Sequence, residues 1–200
     1  MFIKKDEGHL IHEKIAIPAQ SAHVSRPRLL KLLEDNLASY NATIINGRAG
    51  TGKTVLAAGF ARRSGRAVSW YKVDASDSDL RVFCEYLLAS IKLQRFWIDS
   101  DRLLELADTV ESDRSELLAE ALVFQLSENK SEPLLIIIED LHLIYDLDWV
   151  VPLSPVTAFV AGGGPPLDNL SQSAPGGAVA PAFETDASCP GRRGAGVHAR

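Results

Sequence analysis

The chain is poor in cysteine, with two in 200 residues, Cys84 and Cys189. A disulfide framework needs more of them at regular spacing, and no His/Cys cluster has zinc-site spacing. Cys84 falls in an apolar helical pattern and reads as a small buried hydrophobe. Long apolar runs are also missing. The longest, Leu134 to Ile138, is far too short to span a bilayer, and the charged start Lys4-Lys5-Asp6-Glu7 does not lead into a signal-peptide core. A cytoplasmic protein without membrane contact is expected. No basic excess exists either: the formal net charge is -5, with 24% charged residues, so the electrostatic footprint of a nucleic-acid binder is lacking. No direct DNA contact is expected from this chain.

What is present changes in character near residue 150. Residues 151–200 hold 8 of the 14 glycines and 7 of the 10 prolines, so helical and strand periods fade there. A disordered tail from about Pro152 is predicted, because such a segment buries too little apolar surface to offset its ordering entropy. Before it, residues 1–23 read as an N-terminal extension and 24–150 as one nucleotide-binding domain.

Within that domain strand and helix patterns alternate. Helices are predicted over Val24 to Ser39, Lys53 to Arg63, Leu80 to Leu93, Asp101 to Val110 and Ser115 to Ser127. Asp77, Ser78 and Asp79 suit the start of the third. Strands are predicted at Thr43 to Asn46, Ala67 to Val73 and Leu134 to Ile138. The last has no polar alternation, the mark of a central parallel strand covered on both faces. The fold class is therefore α/β, a parallel sheet flanked by helices.

Gly47-Arg48-Ala49-Gly50-Thr51-Gly52-Lys53-Thr54 fits G-x-x-x-x-G-K-[ST] at every fixed position. It follows a buried strand and opens a helix, as a phosphate-binding loop must. Glycines let backbone N–H groups close on phosphate oxygens. Lys53 places a charge on the β- and γ-phosphates, Thr54 offers a hydroxyl to Mg²⁺, and the helix start, through Val55, adds its dipole and free N–H groups. The expected ligands are ATP and Mg²⁺.

The apolar strand then runs into Glu139-Asp140. In P-loop proteins a carboxylate at such a strand end holds Mg²⁺ and a second can activate water. Either Asp140 is the metal-side residue, or Glu139 is and Asp140 is the base; the reading favoured puts Glu139 on Mg²⁺ through water and Asp140 beside the attacking water. His142 is a candidate γ-phosphate sensor or turn cap. Asp74, on the same sheet edge, suits a helix entry.

Taken in order, Lys14 to Pro18, Val24-Ser25-Arg26-Pro27-Arg28-Leu29-Leu30, the loop, Val68 to Asp74, Ser76 to Asp79 with Phe83 to Ile91, and Ile136 to Ile144 resemble the start of the MalT-type, LuxR-family ATP-dependent regulators, which are STAND-class signal-transduction ATPases. The likeness covers roughly residues 12–149. It implies a P-loop ATPase switch in which ATP promotes self-association and hydrolysis resets it. It also implies that the segment holding Val24 and Arg26 lies near the adenine. Family members continue for several hundred residues, with later strands and a DNA-binding module, so an incomplete fold is expected here, from a truncated or frameshifted regulator.

Other P-loop classes fit less well. A small-molecule kinase would need paired lid arginines after the acidic strand, a transporter ATPase an L-S-G-G-Q-like signature, and a GTPase an N-K-x-D motif after that strand. Nucleotide binding without turnover, by a remnant of a regulator, is the competing reading.

Overall fold

The computed structural model describes residues 10–19, 26–40, 42–109, 115–128, 133–144 and 146–150, together with the backbone of 159–161 and 183–184. The strands are β1 (Thr43–Asn46), β2 (Ala67–Lys72), β3 (Leu134–Glu139), β4 (Phe159–Ala161) and β5 (Phe183–Glu184). The helices are α1 (Pro27–Ser39), α2 (Lys53–Arg63), α3 (Leu80–Lys92), α4 (Ser100–Thr109) and α5 (Ser115–Glu128). The sheet order is β2-β3-β4-β1-β5 and every pairing is parallel. Each predicted helix and strand before residue 150 is present to within a few residues. Val24 lies outside the described residues; the first helix starts at Pro27, where a residue without an N–H loses nothing.

Side chains alternate across the sheet with the two-residue period of a strand. Ile45, Val68, Trp70, Leu135 and Ile137 pack against α1 and α2 through Leu33, Leu56 and Phe60. Ile44, Tyr71, Ile136 and Ile138 face the other way, onto α3, α4 and α5 through Phe83, Leu87, Leu103 and Leu118. Both faces are dry, so the central strand Leu134–Glu139 needs no polar alternation. Cys84 is buried in the second layer, and burial pushes its thiol up to about 12, as a packing residue requires.

One expectation is corrected. Strands do follow residue 150: Phe159–Ala161 enters the sheet between β1 and β3, and Phe183–Glu184 pairs outside β1. Their shortness and the surrounding breakers hid them, because three residues show no period. The expectation of a disordered tail fails at those residues, and the rest of 151–200 lies outside the described residues. The described part of the N-terminal extension packs on the domain. Residues 12–15 form a 3-10 turn beside β2, the edge strand; Ile15 joins one core layer and Ile17 packs on the other. The segment thus reaches both core layers at this edge of the sheet.

An ion cluster fixes this segment. Lys14 Nζ donates to both carboxylate oxygens of Asp77, at 2.6 and 2.9 Å, and pairs with Asp74 at 2.8 Å. It also stands 4.5 Å from the centre of the Tyr86 ring. Further along, Arg62 of α2 donates to the Pro18 carbonyl. Asp74 caps the turn 75–78 by accepting from the Ser76 N–H, the helix-entry role expected of it, and Asp79 caps α3 by accepting from the Val82 N–H.

Candidate nucleotide-phosphate site

The loop between β1 and α2 opens at the C-terminal ends of the parallel strands, where α/β sheets bind ligands. Asn46 ends β1 and its side-chain oxygen accepts the Gly47 N–H at 2.7 Å. Thr51 closes the loop on itself, its hydroxyl donating to the Arg48 carbonyl at 2.9 Å. Gly50 and Gly52 have φ of +79° and +82°, a region that L side chains avoid, so those two glycines are dictated by the backbone. The chain then turns directly into α2, whose first residues are Lys53, Thr54 and Val55.

Lys53 Nζ donates to the carbonyls of Gly47 and Arg48, at 2.9 and 3.2 Å. These neutral acceptors hold the amine inside the loop without neutralising it. Thr54 reaches across to the acidic strand end: its hydroxyl donates to Glu139 Oε1. Residues 85 apart in sequence therefore meet, as a shared metal role requires. Glu139 is buried at 4% exposure, and its second oxygen, Oε2, has no hydrogen-bond partner. Burial pushes its carboxyl above the ordinary range; the Thr54 hydroxyl opposes this, the Asp140 charge adds to it, and Lys72 and Lys53 pull it back.

Asp140 has φ +59° and ψ +24°, the one positive φ outside glycine among the described residues. Asp tolerates this left-handed conformation better than most residues. Such strain at a strand end next to a buried carboxylate is typical of functional positions. His142 lies half-buried in the 3-10 turn Leu141–Leu143 that follows.

The oxygen donors suit a hard divalent cation. A hydroxyl and a buried carboxylate with an unused oxygen are what Mg²⁺ takes from a protein when phosphates supply the rest. No group of three or more His, Cys, Asp or Glu side chains suited to a metal occurs among the described residues, so an all-protein cage is not formed there.

Arg26 was placed near the loop only by resemblance. Its guanidinium lies over Gly52, with Nη2 3.6 Å from where a Cβ would stand, and its Nη1 is buried without a partner. Arg48 and Ala49 lie exposed on the loop. The sequence reading missed Asn46 and Lys72. An amide side chain directly before the first loop glycine was the available signal for the first; only the pairing of Lys72 with Glu139 in register reveals the second.

The chain is 35% identical over 136 residues to the HTH-type transcriptional regulator MalT of Yersinia pestis (strain Pestoides F). It is 34% identical over 139 residues to that of Serratia proteamaculans (strain 568). Two thirds of the chain is thus a MalT-like region. Each match covers 68% of this chain and only 15% of the relative, so the chain spans a small part of the proteins it matches. No model of a known protein family matches. Among solved structures, AMPPCP-bound DnaA from Aquifex aeolicus is 16% identical, covering 82% of this chain and 48% of that one at a TM-score of 0.34. No helix among the described residues is long and apolar enough to cross a membrane.

Proposed function

We propose that this chain is the nucleotide-binding module of a transcriptional regulator and takes ATP with Mg²⁺ at the loop Gly47 to Thr54. The observation that carries the reading is the meeting of Thr54 with the buried, half-satisfied Glu139 beneath that loop. The N–H groups of Gly50, Gly52, Lys53, Thr54 and Val55 would meet phosphate oxygens, and Lys53 would exchange its carbonyl partners for them. Arg26 adds positive charge on the Gly52 side. Thr54 and Glu139, directly or through water, would hold Mg²⁺, which would supply positive charge against the phosphates. Asp140, turned by its left-handed backbone, orients and deprotonates the water if hydrolysis occurs. The likeness to MalT regulators supports a role in signal-dependent transcription, with self-association as the response.

The test is a titration of ATP and Mg²⁺ followed by thermal melting, with Lys53→Ala beside the wild type. A ligand at 100 times its Kd stabilises by about 2.7 kcal/mol, so a clear shift is expected that Lys53→Ala loses. A cooperative melt that ATP does not move would sink the reading. Steady-state phosphate release then decides turnover: Asp140→Asn should keep the melting shift and lose release. If wild type releases no phosphate, the module binds without hydrolysis.

A further inference from the structure

A groove of about 990 Å³ lies between α4 and α5, on the α3 side of the sheet and apart from the phosphate loop. Leu103, 1% exposed, belongs to the core beneath it, while Leu106 and Ala121 line it. Leu117 and Phe124 also line it, yet stand 49% and 62% exposed, and Trp97 is part of the lining. Two large apolar side chains left in water beside an apolar slot mark a docking surface rather than scattered exposure. The start of α4 is tied to α5: the N–H of Asp99, the residue before α4, donates to the Gln125 side chain at 3.0 Å.

The charge around this slot is one-sided. Glu105, Glu120 and Glu128 line it and make no ion pair among the described residues. Asp99 is a fourth carboxylate, and Arg102 is the one basic residue in the lining. Asp108, on the same helix, is by contrast paired with Arg81. Unpaired carboxylates around an apolar slot are unfavourable neighbours for an anionic membrane. They also oppose a second copy seated face to face, since a two-fold contact sets like charge on like.

We propose that the α4–α5 groove receives an amphipathic helix of a partner protein whose apolar ridge is flanked by lysine or arginine. The ridge fills the slot beside Leu117 and Phe124, and the cations answer Glu105, Glu120 and Glu128. This is helix-in-groove recognition with electrostatic register. It does not depend on nucleotide binding.

The probe is a helical Leu/Lys peptide with leucine at i, i+3, i+4 and i+7, against a Leu/Glu peptide of the same pattern. Binding to the full chain is followed by tryptophan fluorescence and calorimetry. The Lys peptide is expected to bind at least about tenfold tighter, a difference of about 1.4 kcal/mol. Phe124→Asp, an exposed change checked by an unaltered melt, should remove binding. Glu120→Lys with Glu128→Lys should reverse the preference between the peptides. Equal binding of both peptides, or binding that survives Phe124→Asp, overturns the proposal. So does concentration-dependent association of the chain that Phe124→Asp disperses, which would make a second copy the occupant, and so does binding only to anionic vesicles.

Discussion

Two clusters of charge stand at the same edge of the sheet, one after β2 and one after β3, and they differ in completeness. Around Lys14 each group has a bonded partner: a buried amine meets two carboxylates at 2.6 to 2.9 Å, and Asp77 is fully buried against it. Desolvation works against the Lys14 charge, but the bonds to Asp74 and Asp77 outweigh it and raise its pKa. At the loop the charges remain unanswered. Lys53 rests on neutral carbonyls, Arg26 has a buried nitrogen without a partner, and one oxygen of Glu139 is buried alone. The first cluster closes on itself within the fold, and the second leaves buried polar atoms without a partner, which is the feature the proposed nucleotide site rests on.

The contrast is sharpest in urea denaturation. Lys14→Met leaves Asp77 buried without its cation and should cost about 3 kcal/mol, since breaking a buried pair from one side typically costs 3–5. Replacing both, as Lys14→Met with Asp77→Leu, should restore much of the loss. A Lys14→Met chain as stable as wild type would remove the structural half of the comparison.

The next effect lies on the other cluster. Thr54→Val keeps the shape of the side chain and removes the hydroxyl. ATP affinity measured with Mg²⁺ should fall about tenfold, or about 1.4 kcal/mol, while affinity in excess chelator stays nearly level. Equal losses in both conditions would mean that Thr54 serves the fold rather than the metal.

Glu139→Gln should act in opposite directions on stability and binding. Burial raises the Glu139 pKa, so the protein without ligand pays for its ionisation as pH climbs above the ordinary carboxylate range. The amide should therefore raise the melting temperature of the ligand-free chain near neutral pH and lose the Mg²⁺-dependent part of the ATP shift. A drop in both would place Glu139 with the structural cluster.

The smallest effect is acid sensitivity. The bond from Lys14, and after it those from Ser76, hold Asp74 down to about 2. Its contribution is present above the ordinary carboxylate value, near 4, and is lost as pH falls from there toward about 2. The side chain is half exposed, so solvent screens the pair and the loss is modest. Melting temperature against pH, in wild type and Asp74→Asn, should differ in slope only in that window.

Most of the fold before residue 150 was legible because its signals are local. The period of leucines in α1, the apolar run of β3 and the aspartate caps before α3 each act within a few residues, through backbone geometry. The loop was legible for the same reason: glycines at positive φ, a lysine and a threonine follow one another along the chain. Short strands and long-range charge were not. β4 and β5 carry too few residues to show a period, and nothing near Lys14 announces an aspartate 63 positions later.

The sequence by itself thus determined the alternation of strand and helix, the shape of the phosphate loop and the presence of an acidic strand end. Tertiary structure alone decided which carboxylate is satisfied and which is not. It set Thr54 on Glu139, Lys14 on Asp77, and around an apolar groove three glutamates without an ion pair among the described residues. The physical reason is range: hydrogen-bonded elements are specified by neighbours in sequence, whereas the environment of a charge depends on whatever folding brings within a few ångströms of it.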